Sequence, residues 1–249
     1  MNEGLHRPVA FAARLRALTP ARVGLGRTGA SLQTCDLLDF QRAHAQARDA
    51  VHARLDASSL AANLAAITGQ DVLVLHSTAT DRTTYLQRPD LGRQLDETSR
   101  AKLLIGNWEL ALILADGLSA IAVERHAPPL LQELLPRLEG WRLAPIAVVE
   151  QGRVAIGDEI GAALGAQLSV VLIGERPGLS SPDSLGAYIT WNPGPGRTNA
   201  ERNCISNIRI GGLSYITAAT QLSYYLTEAR RRQLTGISLK DGSLQLNEG

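Results

Sequence analysis

Cysteine is nearly absent from this chain. Cys35 and Cys204 are the only two in 249 residues, and they lie far apart, so no disulfide framework holds the fold together. No paired C-x-x-C and no H-E-x-x-H occurs, which removes the usual zinc and iron–sulfur ligand sets. Walker loops and the G-x-S-x-G nucleophile elbow are also missing. Lysine is scarce: Lys102 and Lys240 stand alone among 25 basic residues. Arginine suits planar recognition of amides and carboxylates, hence a chain with partners, though codon bias accounts for it equally well. Aromatics make up 4%, so the core must be aliphatic. Neither sign of charge dominates: the net charge of +1 argues against a nucleic-acid binder and against an acidic tail. No apolar run is long enough to span a membrane and no secretion signal opens the chain, so the expectation is a soluble, cytoplasmic protein.

What the chain has instead is abundant alanine and leucine, arranged around one stretch. Leu168 to Ile173 is a β-branched apolar run of strand length, closed by Gly174. Glu175 and Arg176 follow, and Pro177-Gly178 stops any regular element. Ser181-Pro182-Asp183 has the pattern of a helix start. A buried strand thus delivers a rigid loop to the carboxyl edge of a sheet, where open α/β folds bind ligands. The plainer alternative is that Glu175 and Arg176 form a surface ion pair.

The rest of the chain supports an α/β fold: a Rossmann-like parallel sheet flanked by helices, with a helical N-terminal region. Residues 1–100 read as mainly helical and partner-contacting, and 101–249 as the Rossmann-like domain. In the first part, Phe11, Leu15 and Leu18 share a weak helical face. Gly24, Gly26 and Gly29 make a G-x-G-x-x-G, but no strand precedes it, so a loop held against another subunit is expected rather than a nucleotide site. Leu37, Phe40, Ala47, Val51 and Leu55 predict a helix over 36–56 capped by Thr34, with His44 packed on its apolar stripe. A second helix over 58–67 ends at Gly69, and Asp71 to Leu75 is a strand. The arginines Arg82, Arg88 and Arg93 lie in a turn-rich segment and read as solvated or as ligand contacts. From Leu110 strands and helices alternate. The strands are Leu110–Ala115, Pro145–Val149, Leu168–Ile173 and Ala187–Trp191, the last read as a further parallel strand. Ser119 opens the first crossover helix, Pro128-Pro129 restarts it and Pro136 ends it. The last helix spans 214–232, and the final ten residues read as loose.

Acid–base machinery is not evident. Asp158 and Glu159 are neighbours on a helix and diverge by about 100°. Cys204 with a distant His126 is a weak nucleophile–base pair. In a parallel sheet, the loops after successive strands share one rim. Val154 follows the second strand, Glu175 the third and Cys204 the fourth, so the three are expected to line one crevice suited to a large neutral ligand with many amides.

Several segments together are similar to one family. ARVGLGRTG at 21–29, YLQRPDLGR at 85–93, LADGLS at 114–119, GRVAIGDEIGAALGA at 152–166, VVLIGERPGLS at 170–180 and NCISNI at 203–208 resemble the small (light) subunit of ethanolamine ammonia-lyase. The resemblance implies an adenosylcobalamin-dependent lyase that converts ethanolamine to acetaldehyde and ammonia as a hetero-oligomer. Its barrel-shaped large subunit holds the substrate, and the small subunit helps enclose the cofactor. It also implies cobalamin contacts at Val154, Glu175 and Cys204 and no catalytic residue on this chain. Location in a bacterial microcompartment is left open. Cobalamin proteins that offer cobalt a histidine use Asp-x-His-x-x-Gly, absent here, so cobalt is expected to keep the cofactor's own base. The alternative needs His44, His76 or His126 at the metal. The competing reading is a Rossmann-like scaffold or assembly protein without cofactor; a self-sufficient nucleotide enzyme using Gly24 to Gly29 is a third.

Overall fold

A computed structural model describes residues 7–240. Helix α1 (Arg7–Leu18) leads to a small hairpin, β1 (Arg27–Thr28) and β2 (Ser31–Leu32), which turns through Gly29 at φ +64°. The Gly24–Gly29 segment thus builds a hairpin and lacks the strand-to-helix setting of a dinucleotide loop. Helix α2 (Thr34–His52) follows, with Gln33 rather than Thr34 at its cap position. The helix ends at His52, short of the expected 56; Leu37, Phe40 and His44 are exposed, so the first half of the expected stripe does not face this chain's own core, while Ala47 and Val51 are half-buried and Leu55 is buried in it. Helix α3 (Ala57–Thr68) is capped by the Asp56 carboxylate on the Ser59 N–H and closed by Gly69 at φ +66°.

The central sheet then forms. Its strands are β3 (Val72–His76), β4 (Trp108–Ala115), β5 (Ile146–Glu150), β6 (Ala166–Gly174), β7 (Leu185–Trp191) and β8 (Arg202–Ile208), in the spatial order β3-β5-β4-β6-β7-β8. The first four in that order are mutually parallel. The α/β expectation holds, and the strands read over 110–115, 145–149 and 168–173 are β4, β5 and β6 within two residues at each end. Strand β3 comes from the part of the chain before residue 101 and forms the edge beside β5. The short helices α4 (Arg82–Gln87) and α5 (Glu97–Arg100) connect β3 to β4.

Alternate residues of each strand enter two cores. Leu110, Leu112, Leu114, Leu168, Val170 and Leu172 face α3, α6 (Ala120–Leu134) and α8 (Tyr215–Arg232). Ala111, Ile113, Val171 and Ile173 face α7 (Ile156–Leu164). Ser119 caps α6 as the sequence predicts, and Pro136 sits where it tightens into a 3-10 turn. Pro128 and Pro129 do not restart α6; it runs through them. The carbonyls they leave unpaired belong to Glu124 and Arg125, both exposed, where water can satisfy them.

Two readings at the far edge are corrected. Strand β7 runs antiparallel to β6, and β8 antiparallel to β7. The connection over 175–184 is too short for a crossover, which takes a dozen or more residues. Ser181-Pro182-Asp183 therefore starts no helix. It is a turn pinned to α6: the Ser119 hydroxyl donates to the Pro182 carbonyl at 3.0 Å, and Arg125 reaches the Asp183 carboxylate at 2.5 Å. The second correction is that residues 202–208, read only as short polar residues, form β8. Helix α7 covers β4 and β6 but not β8, so Cys204 and Ser206 lie exposed on that face.

The predicted loose tail falls outside the described residues beyond Lys240.

Candidate functional site

Strands β4, β5 and β6 end together, and their connections diverge. The segment after β4 enters α6 on one face, while that after β5 enters α7 on the other. Such a switch point leaves a crevice outside the carboxyl ends of the strands. Here the crevice has a volume of about 410 Å³ and lies open on one side. Its floor is tight. The Leu118 N–H donates to the Gly174 carbonyl at 2.9 Å, and a Cβ on Gly174 would stand 2.0 Å from the Ser119 carbonyl oxygen.

Val154 and Glu175 both line this crevice, with Leu118, Ile173, Arg153, Arg176 and Tyr188. Glu175 makes no ion pair with Arg176 among the described residues. Its carboxylate instead accepts from the Ser184 hydroxyl at 2.5 Å, the Ser206 hydroxyl at 2.8 Å and the Asn207 N–H at 3.1 Å. Those donors belong to β8 and to the β6–β7 turn, so Glu175 ties that turn to the edge strand β8. A carboxylate has about four lone-pair sites. With three used, one remains for a further donor.

Cys204 arrives by a route other than the one expected. It is not on a loop after a parallel strand but in mid-β8, directly opposite Tyr188 of β7. Because β7 is antiparallel, the loop that follows it lies at the opposite rim. Strand β8 returns toward the crevice and brings Cys204 to Tyr188, which lines it. Although Cys204 is open to solvent on one side, desolvation by its neighbours pushes the thiol above its ordinary range, against a hydrogen bond from Tyr188, and the Glu175 charge adds to the rise. The thiol is therefore neutral at pH 7 and suited to packing, not attack.

Sequence reasoning missed the buried layer below. Arg82, read among solvated arginines, is 5% exposed. It donates to the Val51 carbonyl at 2.7 Å and the Gly117 carbonyl at 2.9 Å, and faces Asp116 at 3.4 Å. Asp116 accepts from the Gly152 N–H at 3.0 Å, and the Tyr85 hydroxyl donates to the Gly152 carbonyl at 3.0 Å. The Tyr85 ring lies between two guanidinium groups, Arg153 at 4.1 Å and Arg82 at 4.9 Å from its centroid. Tyr85 and the Arg153-Val154 turn are thereby held as one unit. The only signal in the sequence was the clustering of arginine and tyrosine over 82–93.

Burial raises the Asp116 carboxyl to about 6, against the Arg82 charge and the N–H donors that favour its ionised form. Folded Asp116 holds its proton more tightly than the unfolded chain does. Its contribution to stability is therefore full below about pH 4, declines as pH rises through about 6, and is constant above that. Asp116→Asn removes this slope. Urea unfolding should show the variant gaining on the wild type between about pH 4 and 6, with a constant offset at higher pH. Parallel pH curves across that window would contradict the assignment.

The histidines stand apart from this geometry. His126 is fully buried, with Nδ1 2.8 Å from the Tyr215 hydroxyl and Nε2 3.3 Å from Asp183. His44 is exposed on α2, and His76 Nδ1 lies 2.6 Å from the Ser77 carbonyl oxygen. None lines the crevice. Asp158 and Glu159 are not an acid pair: Asp158 holds Arg202, and Glu159 holds Arg100 and the Leu95 N–H. Among the described residues no cluster of three metal-ligating side chains occurs, and no helix is long and apolar enough to cross a membrane.

The sequence profile of the ethanolamine ammonia-lyase light chain matches residues 10–240. The chain belongs to this family. Its crevice-forming segments all fall inside the matched span. The chain is 59% identical over 235 residues to the ethanolamine ammonia-lyase small subunit of Pseudomonas paraeruginosa, covering 91% of this chain and 86% of that one. It is 57% identical over 241 residues to the small subunit of Pseudomonas syringae pv. tomato, covering 94% and 83%. The small subunit of Pseudomonas fluorescens SBW25 is 57% identical over 235 residues, with 91% and 84% covered.

Proposed function

We propose that this chain is the small subunit of an ethanolamine ammonia-lyase that converts ethanolamine to acetaldehyde and ammonia with adenosylcobalamin, and that it holds one side of the cofactor against a large catalytic subunit. The observation that carries the reading is the convergence of Val154 and Glu175 on one open crevice, with Cys204 adjoining through Tyr188, in a chain of this family. The donor set fits. A corrinoid is larger than a crevice of about 410 Å³, so this chain would hold an edge of it and leave the rest to a partner. Glu175 keeps one acceptor site for a side-chain amide, held in place by its three donors. Val154, Ile173 and Leu118 supply apolar wall that excludes water. Bound adenosylcobalamin supplies radical chemistry through its cobalt–carbon bond, which leaves the protein the tasks of binding, orienting and shielding.

In this reading residues 1–100 supply partner-contacting surface, which agrees with exposed Phe11, Leu18 and Leu38, and residues 101–249 supply most of the cofactor wall. The test is to co-purify the chain with its large subunit and assay acetaldehyde. Turnover is expected only with both chains and adenosylcobalamin. In that complex, Glu175→Ala should weaken cobalamin binding about tenfold, the value of one hydrogen bond to a charged group. Unchanged affinity would favour a scaffold that binds no cofactor.

A further inference from the structure

Two guanidinium groups line the crevice without a carboxylate of their own. The Arg153 guanidinium lies over the Tyr85 ring, 4.1 Å from its centroid, and donates from one terminal nitrogen to the Tyr85 carbonyl at 3.2 Å. Its Nε is buried and has no acceptor. Arg176 follows Glu175 and is exposed; among the described residues it makes no hydrogen bond and no ion pair. The other acids nearby are engaged. Glu175 takes three donors, and buried Asp116 is matched by Arg82 and the Gly152 N–H. The crevice thus presents two unmatched cations against one carboxylate that is already hydrogen-bonded, which is a surface for an anion. Guanidinium forks match phosphoryl oxygens in geometry, and Arg153 is held in one orientation before any ligand arrives, so little freedom is lost on binding.

Adenosylcobalamin carries its peripheral negative charge on the phosphodiester that joins its nucleotide tail to the corrin ring. Resting on the cofactor reading above, we infer that Arg153 and Arg176 receive that phosphodiester, so that this subunit recognises the nucleotide tail as well as the ring. Glu175 and Val154 then serve the ring amides and apolar edge, while the two arginines serve the tail.

The experiment compares two ligands on the assembled complex. Adenosylcobinamide has the corrin and its amides but no phosphodiester or nucleotide. Equilibrium binding is measured for both ligands with wild type, Arg153→Gln, Arg176→Gln and the double variant. Arg176→Gln removes an exposed side chain with no partner among the described residues, so folding is not at stake there. Each single variant should weaken adenosylcobalamin binding about tenfold and the double variant more, while adenosylcobinamide affinity stays within about twofold of wild type. Inorganic phosphate should compete with adenosylcobalamin on the wild-type complex and not on the double variant. Equal losses for both ligands would place the arginines on the corrin amides and overturn the inference. So would wild-type affinity for adenosylcobalamin in both Gln variants. A wild-type complex that binds no adenosylcobalamin at all would instead remove the cofactor reading beneath it.

Discussion

Asp158→Ala is expected to destabilise the fold by about 3–5 kcal/mol, measured by urea or thermal unfolding of the isolated chain. The reason is what it leaves behind. Arg202 of β8 is 3% exposed and Asp158 of α7 is 8% exposed at their side chains. The two meet in a bidentate pair with both contacts at 2.6 Å, and the same guanidinium donates to the Thr190 hydroxyl at 2.9 Å and the Arg197 carbonyl at 3.2 Å. Removing the carboxylate strands a buried cation whose Nε already lacks an acceptor. A surface pair of the same type, such as Arg88 with Asp90, should change stability little when broken, because solvent screens it. The double change Asp158→Leu with Arg202→Met should recover much of the loss, because a buried pair replaced by apolar side chains is often neutral. The pair also anchors β8 to α7, and β8 places Cys204 opposite Tyr188 and Ser206 on Glu175, two residues that line the crevice. Asp158→Ala should therefore weaken cobalamin binding by the complex even under conditions where it remains folded. A loss below about 1 kcal/mol would show that β8 is held in some other way.

Gly174→Ala carries the second large effect, about 3 kcal/mol or more, together with loss of cobalamin binding. A methyl group at this position would lie 2.0 Å from the Ser119 carbonyl oxygen and 2.6 Å from that of Asp116. Both are backbone atoms, so no side-chain rotation relieves the clash; β6 must separate from the segment after β4. That separation breaks the Leu118 N–H to Gly174 carbonyl bond and opens the crevice floor. Gly178→Ala is the control four residues on. Its nearest neighbour would be the Ser181 hydroxyl at 3.2 Å, which can rotate away, so stability and binding should both stay close to wild type.

Much of this arrangement was legible in the residues, and the failures have physical causes. The continuous apolar runs over 110–115 and 168–173 announced strands buried on both faces, which is what a parallel sheet under two helix layers requires. Gly69 and Gly165 marked helix ends because both adopt positive φ there. The direction of β7 was misread because Ser181-Pro182-Asp183 has the chemistry of a helix start. Its anchoring to Ser119 and Arg125 of another element is tertiary and leaves no local trace. The length of the connection was the available signal, since 175–184 cannot hold a crossover. That error also hid how Cys204 comes to lie opposite Tyr188, beside the crevice and not in its lining. Arg82 looked solvated because its partners, Val51, Gly117 and Asp116, are spread over more than sixty positions of chain. The stripe on α2 was read correctly as apolar, but Leu37 and Phe40 stay exposed among the described residues, Phe40 with only Arg22 and His44 against its ring. Periodicity reports that a face is apolar, not which chain covers it.

We propose that one rim of this sheet, built by three strand ends and the returning β8, grips a cobalamin. Hydrogen–deuterium exchange of the assembled complex, with and without adenosylcobalamin, tests it most directly. The account predicts that the cofactor slows exchange at 117–118, 152–154, 174–176 and 203–207 of this chain, and leaves the far side of α8 unchanged. Slowed exchange confined to the large subunit, with those four segments unaltered, would contradict it.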